Sequence, residues 1–195
     1  MKKIATGIAL LLPLSLAFLF IFSPFQHHDD FDYPLIKSTV IIDAPVNEVF
    51  DYLGNSDNAR DWSVFVDHIT TTNAIEVPDG SIGSERRCFV NADESGTQWD
   101  ERTTLVIPNR KRQLVIYNLV DFSMTADNLA TEQIYTPLEN NKCELTFTVF
   151  YKDTKPTVGE YLKTKLGAFH IKSIFEDNMN NIKTIIEKNQ AIALR

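Results

Sequence analysis

The chain has 195 residues, a formal charge of −7, 44% hydrophobic side chains and two cysteines. That length suits one domain with an appendage, large enough to bury a substantial core. So acidic a chain is repelled by phosphate backbones, so nucleic acid is not expected as a partner, and Cys88 and Cys143 make neither a disulfide framework nor a metal cage.

The first segment differs from the rest. After Lys2 and Lys3, residues 4–22 are 19 uncharged positions, 15 of them Ala, Ile, Leu or Phe. At ~1.5 Å per residue such a helix reaches about 28 Å, close to the ~30 Å hydrocarbon core of a bilayer. Residues 1–22 are therefore read as an N-terminal membrane anchor, with a cleaved signal peptide as the alternative. Ser-Pro-Phe-Gln follows the run, without a good small-x-small cleavage site. Either reading leaves the two lysines cytoplasmic and puts the acidic domain on the extracytoplasmic side, periplasmic or cell-surface; the anchor reading makes it a single-pass protein. Residues 23–34 read as a juxtamembrane linker. His27, His28, Asp29 and Asp30 are adjacent on it, but four neighbours on a tether do not form a preorganised site, and no metal is expected.

Residues 35–42, Leu-Ile-Lys-Ser-Thr-Val-Ile-Ile, are rich in β-branched side chains and predict a strand. Asp43-Ala44-Pro45 stops it. Pro45 suits a first helical position, with Asp43 or Ala44 as cap. Val46, Val49, Phe50 and Leu53 follow at helical spacing, Gly54-Asn55 ends that helix, and a second short one reaches Trp62. From Val64 the pattern turns to period two, predicting strands near 65–76, 83–91, 96–107, 112–121, 126–138 and 142–152. Turn signals separate them at Pro78-Asp79-Gly80, residues 93–96, Pro108-Asn109 and Asn140-Asn141. This is the pattern of an antiparallel meander with one wet face. The stretch between Pro156 and Gln190 predicts one long helix of about 30 residues, ~45 Å, whose apolar face needs a surface of matching length.

The order strand, two short helices, six strands, long helix carries Ile-Asp-Ala-Pro with a hydrophobic helix after it, Gly-Ser-Glu-Arg-Arg at 83–87, and a Trp99–Tyr117 hairpin. It resembles the START-like superfamily (SRPBCC, polyketide cyclase/dehydrase), which includes the birch-pollen allergen. The likeness covers residues 35–190. It implies an α+β helix-grip fold: a bent seven-stranded antiparallel sheet wrapped on the C-terminal helix, with the two short helices plugging one end and a cavity for an apolar ligand between sheet and helix. In the family's sheet order the strands of Cys88 and Cys143 are not neighbours, so no disulfide is expected.

No nucleophile elbow, phosphate loop or metal spacing occurs, and no cofactor is implied. Of the histidines in the domain, His68 and His170 read as surface or edge residues. Glu101 alternates with Trp99, Thr103 and Leu105. On the concave face its carboxylate would be a weak catalytic candidate; in the opposite phase it would pair with an exposed cation, and period two leaves the phase open. Arg86 shares a side with Cys88 and Val90, so an inward Arg86–Glu101 pair would either orient a ligand or neutralise itself. Tyr117, Tyr135 and Tyr151 are candidate phenol donors. A chamber is expected against the first half of the long helix, where Gly167-Ala168 withdraws volume, lined by Trp99, Phe147, Val149, Leu162, Leu166 and Phe169. The leading functional expectation is a membrane-tethered extracytoplasmic binding module for a lipid or other hydrophobic small molecule. The alternatives are a cyclase, dehydratase or hydrolase acting in the same cavity, and an interaction domain without ligand.

Overall fold

The computed structural model describes residues 17–122, 129–152 and 155–193. Strand β1 (Leu35–Ile42) leads into helix α1 (Val46–Gly54), a 3₁₀ turn (Ser56–Asn58) and the single turn α2 (Ala59–Trp62). Six strands follow: β2 (His68–Thr71), β3 (Glu85–Phe89), β4 (Gln98–Ile107), β5 (Lys111–Val120), β6 (Leu129–Leu138) and β7 (Lys142–Tyr151). Helix α3 (Val158–Ala193) closes the chain. The strands form one antiparallel sheet in the order β1-β7-β6-β5-β4-β3-β2. This is the helix-grip architecture expected. The first two meander strands are shorter than period two alone predicts.

The local chemistry explains the boundaries. Pro45 lies just outside α1 with φ −59° and ψ 144°, so it flanks the helix rather than starting it, one residue from the expected place. Asp43 does not cap; its carboxylate meets Lys142 Nζ at 2.6 Å. The β4–β5 and β6–β7 hairpins turn through Asn109, Asn140 and Asn141, all with φ near 60°, a region asparagine tolerates better than most side chains. Register shifts between Gln98 and Asp100 and between Thr103 and Leu105 interrupt the β4–β5 ladder, and such bulges bend a sheet.

One face of the sheet packs on α1 and α3. Val49, Phe50 and Leu53 of α1 meet Tyr135, Leu145 and Phe147 of the sheet and Met179, Ile182 and Ile186 of α3 in the main core. Phe50 lies edge-on to Tyr135, ring centroids 5.0 Å apart, and carries the Arg112 guanidinium 4.3 Å above its ring. Gly54 makes room for that guanidinium: a Cβ there would sit 2.8 Å from Nη2.

Residues 23–34 are not a free linker. Phe25, 1% exposed, shares a core cluster with Ile36, Leu129, Val149 and Ala168. The Ser23 hydroxyl donates to the Lys165 carbonyl (2.6 Å) and Lys165 Nζ donates to the Phe25 carbonyl (2.7 Å). The chain then crosses to the opposite face of the sheet, where Tyr33 stacks on Phe150 at 4.6 Å. These residues fold with the domain because they bury aromatic surface on it. Of the apolar run 4–22, residues 4–16 lie outside the described residues and 17–21 are helical. Among the described residues no helix is long and apolar enough to cross a membrane.

The buried contacts of Phe50 yield a direct expectation. Phe50→Ala should lower stability by roughly 3–5 kcal/mol, read from the shift of the denaturation midpoint, through lost contacts and the cavity left behind. An unchanged midpoint would contradict the packing of α1 described above.

Candidate functional site

Between the concave face and the middle of α3 lies a half-enclosed cavity of about 190 Å³. The sheet contributes Trp99, Glu101, Leu114, Ile116, Leu129, Phe147 and Val149. The stretch after α1 adds Trp62, Phe65 and Val66, while α3 adds Ile171, Ile174, Phe175 and Asn178. Both tryptophans of the chain are in this wall. Asn178 and Asn181 hold the Trp62 loop to α3: Asn178 Oδ1 accepts from the Val64 N–H at 2.7 Å, and Asn181 Nδ2 donates to the Trp62 carbonyl at 3.0 Å.

The polar end is an ion pair. Arg86 and Glu101 face each other across β3 and β4. Nε and Nη2 of Arg86 donate to one Glu101 oxygen at 2.8 and 2.7 Å, and Trp99 Nε1 donates to the other at 2.9 Å. The remaining arm of Arg86 reaches the Ser56 hydroxyl at 3.1 Å, and Ser56 donates onward to Asp79. Burial, the largest single influence, lowers the Arg86 pKa, but the charge and hydrogen bond of Glu101 together with the charges of Cys88 and Asp79 offset it and hold the pKa above its ordinary value. Three donors on the Glu101 oxygens and the Arg86 charge beside them stabilise the carboxylate and make it a poor proton acceptor.

Of the residues expected from the sequence, Arg86, Trp99, Glu101, Phe147 and Val149 come together at this cavity. Four do not. Tyr117 follows the other phase of β5 and lies on the outer face, its ring 5.4 Å from the Arg102 guanidinium. Leu162, Leu166 and Phe169 point outward from α3, because the inward face is Thr164, Lys165, Ala168, Ile171, Phe175 and Met179. The expected chamber over Gly167-Ala168 is therefore displaced along α3 by about a turn; Phe25 fills the space that Ala168 leaves. The Glu101 phase holds for Trp99 and Thr103 only, since the bulge before Leu105 breaks the alternation.

The remaining candidates serve structure. Burial raises the Tyr135 phenol far above its ordinary pKa, and its oxygen is hydrogen-bonded to Gln133 and Arg112. Tyr151 bonds Thr164 on α3. His68 meets Asp67 at 2.9 Å and stacks on Phe89, and His170 is exposed. Among the described residues no three His, Cys, Asp or Glu side chains converge on a metal position. A wider cleft of about 710 Å³ beside Gly54 and Gly80 is open to solvent and rimmed by Asp51 and Asp79, which makes it a poor receptacle for an apolar molecule.

Comparison with known proteins agrees with the architecture. Residues 34–187 match the family model described as polyketide cyclase / dehydrase and lipid transport. The chain belongs to that family. The match implies, at its coarsest, a hydrophobic ligand-binding or cyclase-like domain. Among solved structures, a protein from Thermobifida fusca superposes with a TM-score of 0.60 at 15% identity, over 79% of this chain and 93% of that one. Ara h 8.0201 gives 0.54 at 10% identity, over 78% and 96%. The di-domain ARO/CYC StfQ from the steffimycin biosynthetic pathway gives 0.57 at 13%, over 80% of this chain and 51% of that one. At such identities the likeness is one of fold. No curated protein matches the chain.

Both cysteines are free and buried. Burial pushes the Cys88 thiol well above its ordinary pKa and the Cys143 thiol up to about 11. At pH 8 the Cys143 thiolate fraction is then about one in a thousand, and only the thiolate reacts. Neither cysteine should react with a thiol reagent in the folded protein at pH 8; both should react once it is unfolded, and Cys143 should become reactive as pH approaches 11.

Proposed function

We propose that this domain binds a small hydrophobic molecule in the cavity between sheet and α3, and that residues 4–22 tether it to a membrane with the domain on the extracytoplasmic side. The observation that carries the binding reading is a largely apolar chamber whose charged lining groups, Arg86, Glu101 and Glu132, are each ion-paired within the protein. Magnitude narrows the ligand. An engineered cavity of ~150 Å³ takes up benzene, so about 190 Å³ suits a small aromatic or a short acyl segment rather than a whole lipid. The tether reading is supported by Lys2-Lys3 ahead of 19 uncharged residues and by the lack of a good cleavage site after them.

An enzymatic reading needs a free acid or base in the chamber. Two carboxylates line the chamber: Glu101, which accepts from Arg86 and Trp99, and Glu132, whose Oε2 pairs with Lys111 and accepts from Gln113. This favours a binding role over a cyclase or hydrolase.

Trp62 and Trp99 make the binding test direct. A brominated short-chain fatty acid should quench tryptophan emission saturably in the wild type. Thr131→Phe, which fills the cavity from β6, should abolish that quenching while the fold survives an overpacking cost of ~1–3 kcal/mol. Quenching that never saturates, or that is equal in the two proteins, would refute the site. A second experiment separates anchor from scaffold. Glu101→Leu alone strands a buried cation and should cost about 3 kcal/mol, whereas Arg86→Met with Glu101→Leu should recover most of that loss and still bind the acid. If the double variant folds but cannot bind, the pair contacts the ligand.

A further inference from the structure

We propose that α3 carries a second membrane contact, a stripe that lies flat on an anionic bilayer and sets the cavity close to the lipid surface; this rests on the tether reading above. The stripe is Val158, Leu162, Leu166 and Phe169, exposed to 79, 44, 36 and 38%. Spacings of four, four and three put them on one helical face, opposed to the buried Thr164 and Ala168. A soluble monomer has no reason to line up four large apolar side chains in water.

The occupant follows from what adjoins the stripe. Phe18, Ile21 and Phe22 are exposed as well, and the Phe20 ring lies 6.2 Å from Tyr161 and 5.3 Å from Lys165 Nζ. The Ser23–Lys165 and Lys165–Phe25 hydrogen bonds hold the two segments side by side. The described helix 17–21, the end of the uncharged run, therefore lies at the edge of this stripe. Charge agrees: in a chain of −7, Lys155 and Lys163 are exposed beside the stripe and Lys152 and Lys172 half-buried, against Asp153 and Glu160. An apolar helical face flanked by lysines matches an interface of acyl chains and anionic headgroups. Ile171 and Ile174 of the cavity wall begin two residues beyond Phe169. A hydrophobic ligand then has a short path between bilayer and cavity.

The test uses the full chain in vesicles of phosphatidylcholine and phosphatidylglycerol. An environment-sensitive fluorophore is placed through Leu166→Cys, Phe169→Cys or, as control, Ile75→Cys, a position fully exposed on the loop after β2; the native cysteines are buried. Brominating the acyl chains should quench the labels at 166 and 169 at least about twofold, as for side chains ~5–10 Å deep, and leave the label at 75 unchanged. Labels at 166 and 169 that stay in water while the chain is vesicle-bound overturn the docking face and leave the tether standing. Labels that are shielded but unquenched mean that residues 4–16 or a second copy cover the stripe, which also overturns it. A chain that does not partition into vesicles at all overturns both readings.

Discussion

A straight helix cannot follow a bent sheet along its whole length. The 36 residues of α3 make a rod of about 54 Å, and the bulged strands β4 and β5 bend away from it. The gap this leaves has to be filled or tolerated. At the C-terminal half of α3 it is filled by α1, whose Val49, Phe50 and Leu53 complete the main core. At the N-terminal half it is filled by Phe25, contributed by the segment ahead of β1. Between these two fillings Phe175 meets Phe147 edge-on, ring centroids 5.6 Å apart, and the cavity is what remains around them.

The same misfit governs the buried charges. Where the strands are stabilised only from one side, side chains from the concave face need partners from neighbouring strands or from α1. Arg86 and Glu101 find each other across β3 and β4, with Ser56 and Trp99 completing their hydrogen bonds. Arg112 has no carboxylate at hydrogen-bonding distance among the described residues. It lies against Phe50 near the C-terminal end of α1, where a helix favours a cation, and bonds Tyr135 and Gln133; burial lowers its pKa. The cavity thus stays largely apolar because the charges nearest it are spent on holding the scaffold.

The architecture was legible in the sequence because each element announces itself locally. Residues 35–42 are β-branched, 46–53 repeat at helical spacing, and 142–151 alternate. The position of the cavity was not. Two apolar stripes run along residues 158–175, and the one with larger side chains, Leu162, Leu166 and Phe169, faces outward, while Thr164, Lys165 and Ala168 face the sheet. Helical periodicity gives the spacing of a stripe and says nothing of which stripe meets a partner. Nor does a strand pattern reveal a bulge: the Thr103–Leu105 shift keeps Glu101 in phase with Trp99 and separates it from Leu105. Phe25 was hidden for a different reason. It is one of three aromatics in a stretch with no periodic pattern, and its partners Leu129, Val149 and Ala168 are more than 100 positions away.

Phe25 also gives the fold a mechanical path. Only Ser23 and Pro24 separate it from Phe22, and the ring packs on Leu129 and Val149, which line the chamber. Tension applied to the chain ahead of Phe22 therefore loads Ser23 and Phe25 before any strand of the sheet. The first contacts to part are the two hydrogen bonds at Lys165, and the first volume to appear adds to the space beside α3. Displacing one aromatic ring by a few ångströms unpacks Leu129 and Val149 from behind while every hydrogen bond of the β-ladder stays made.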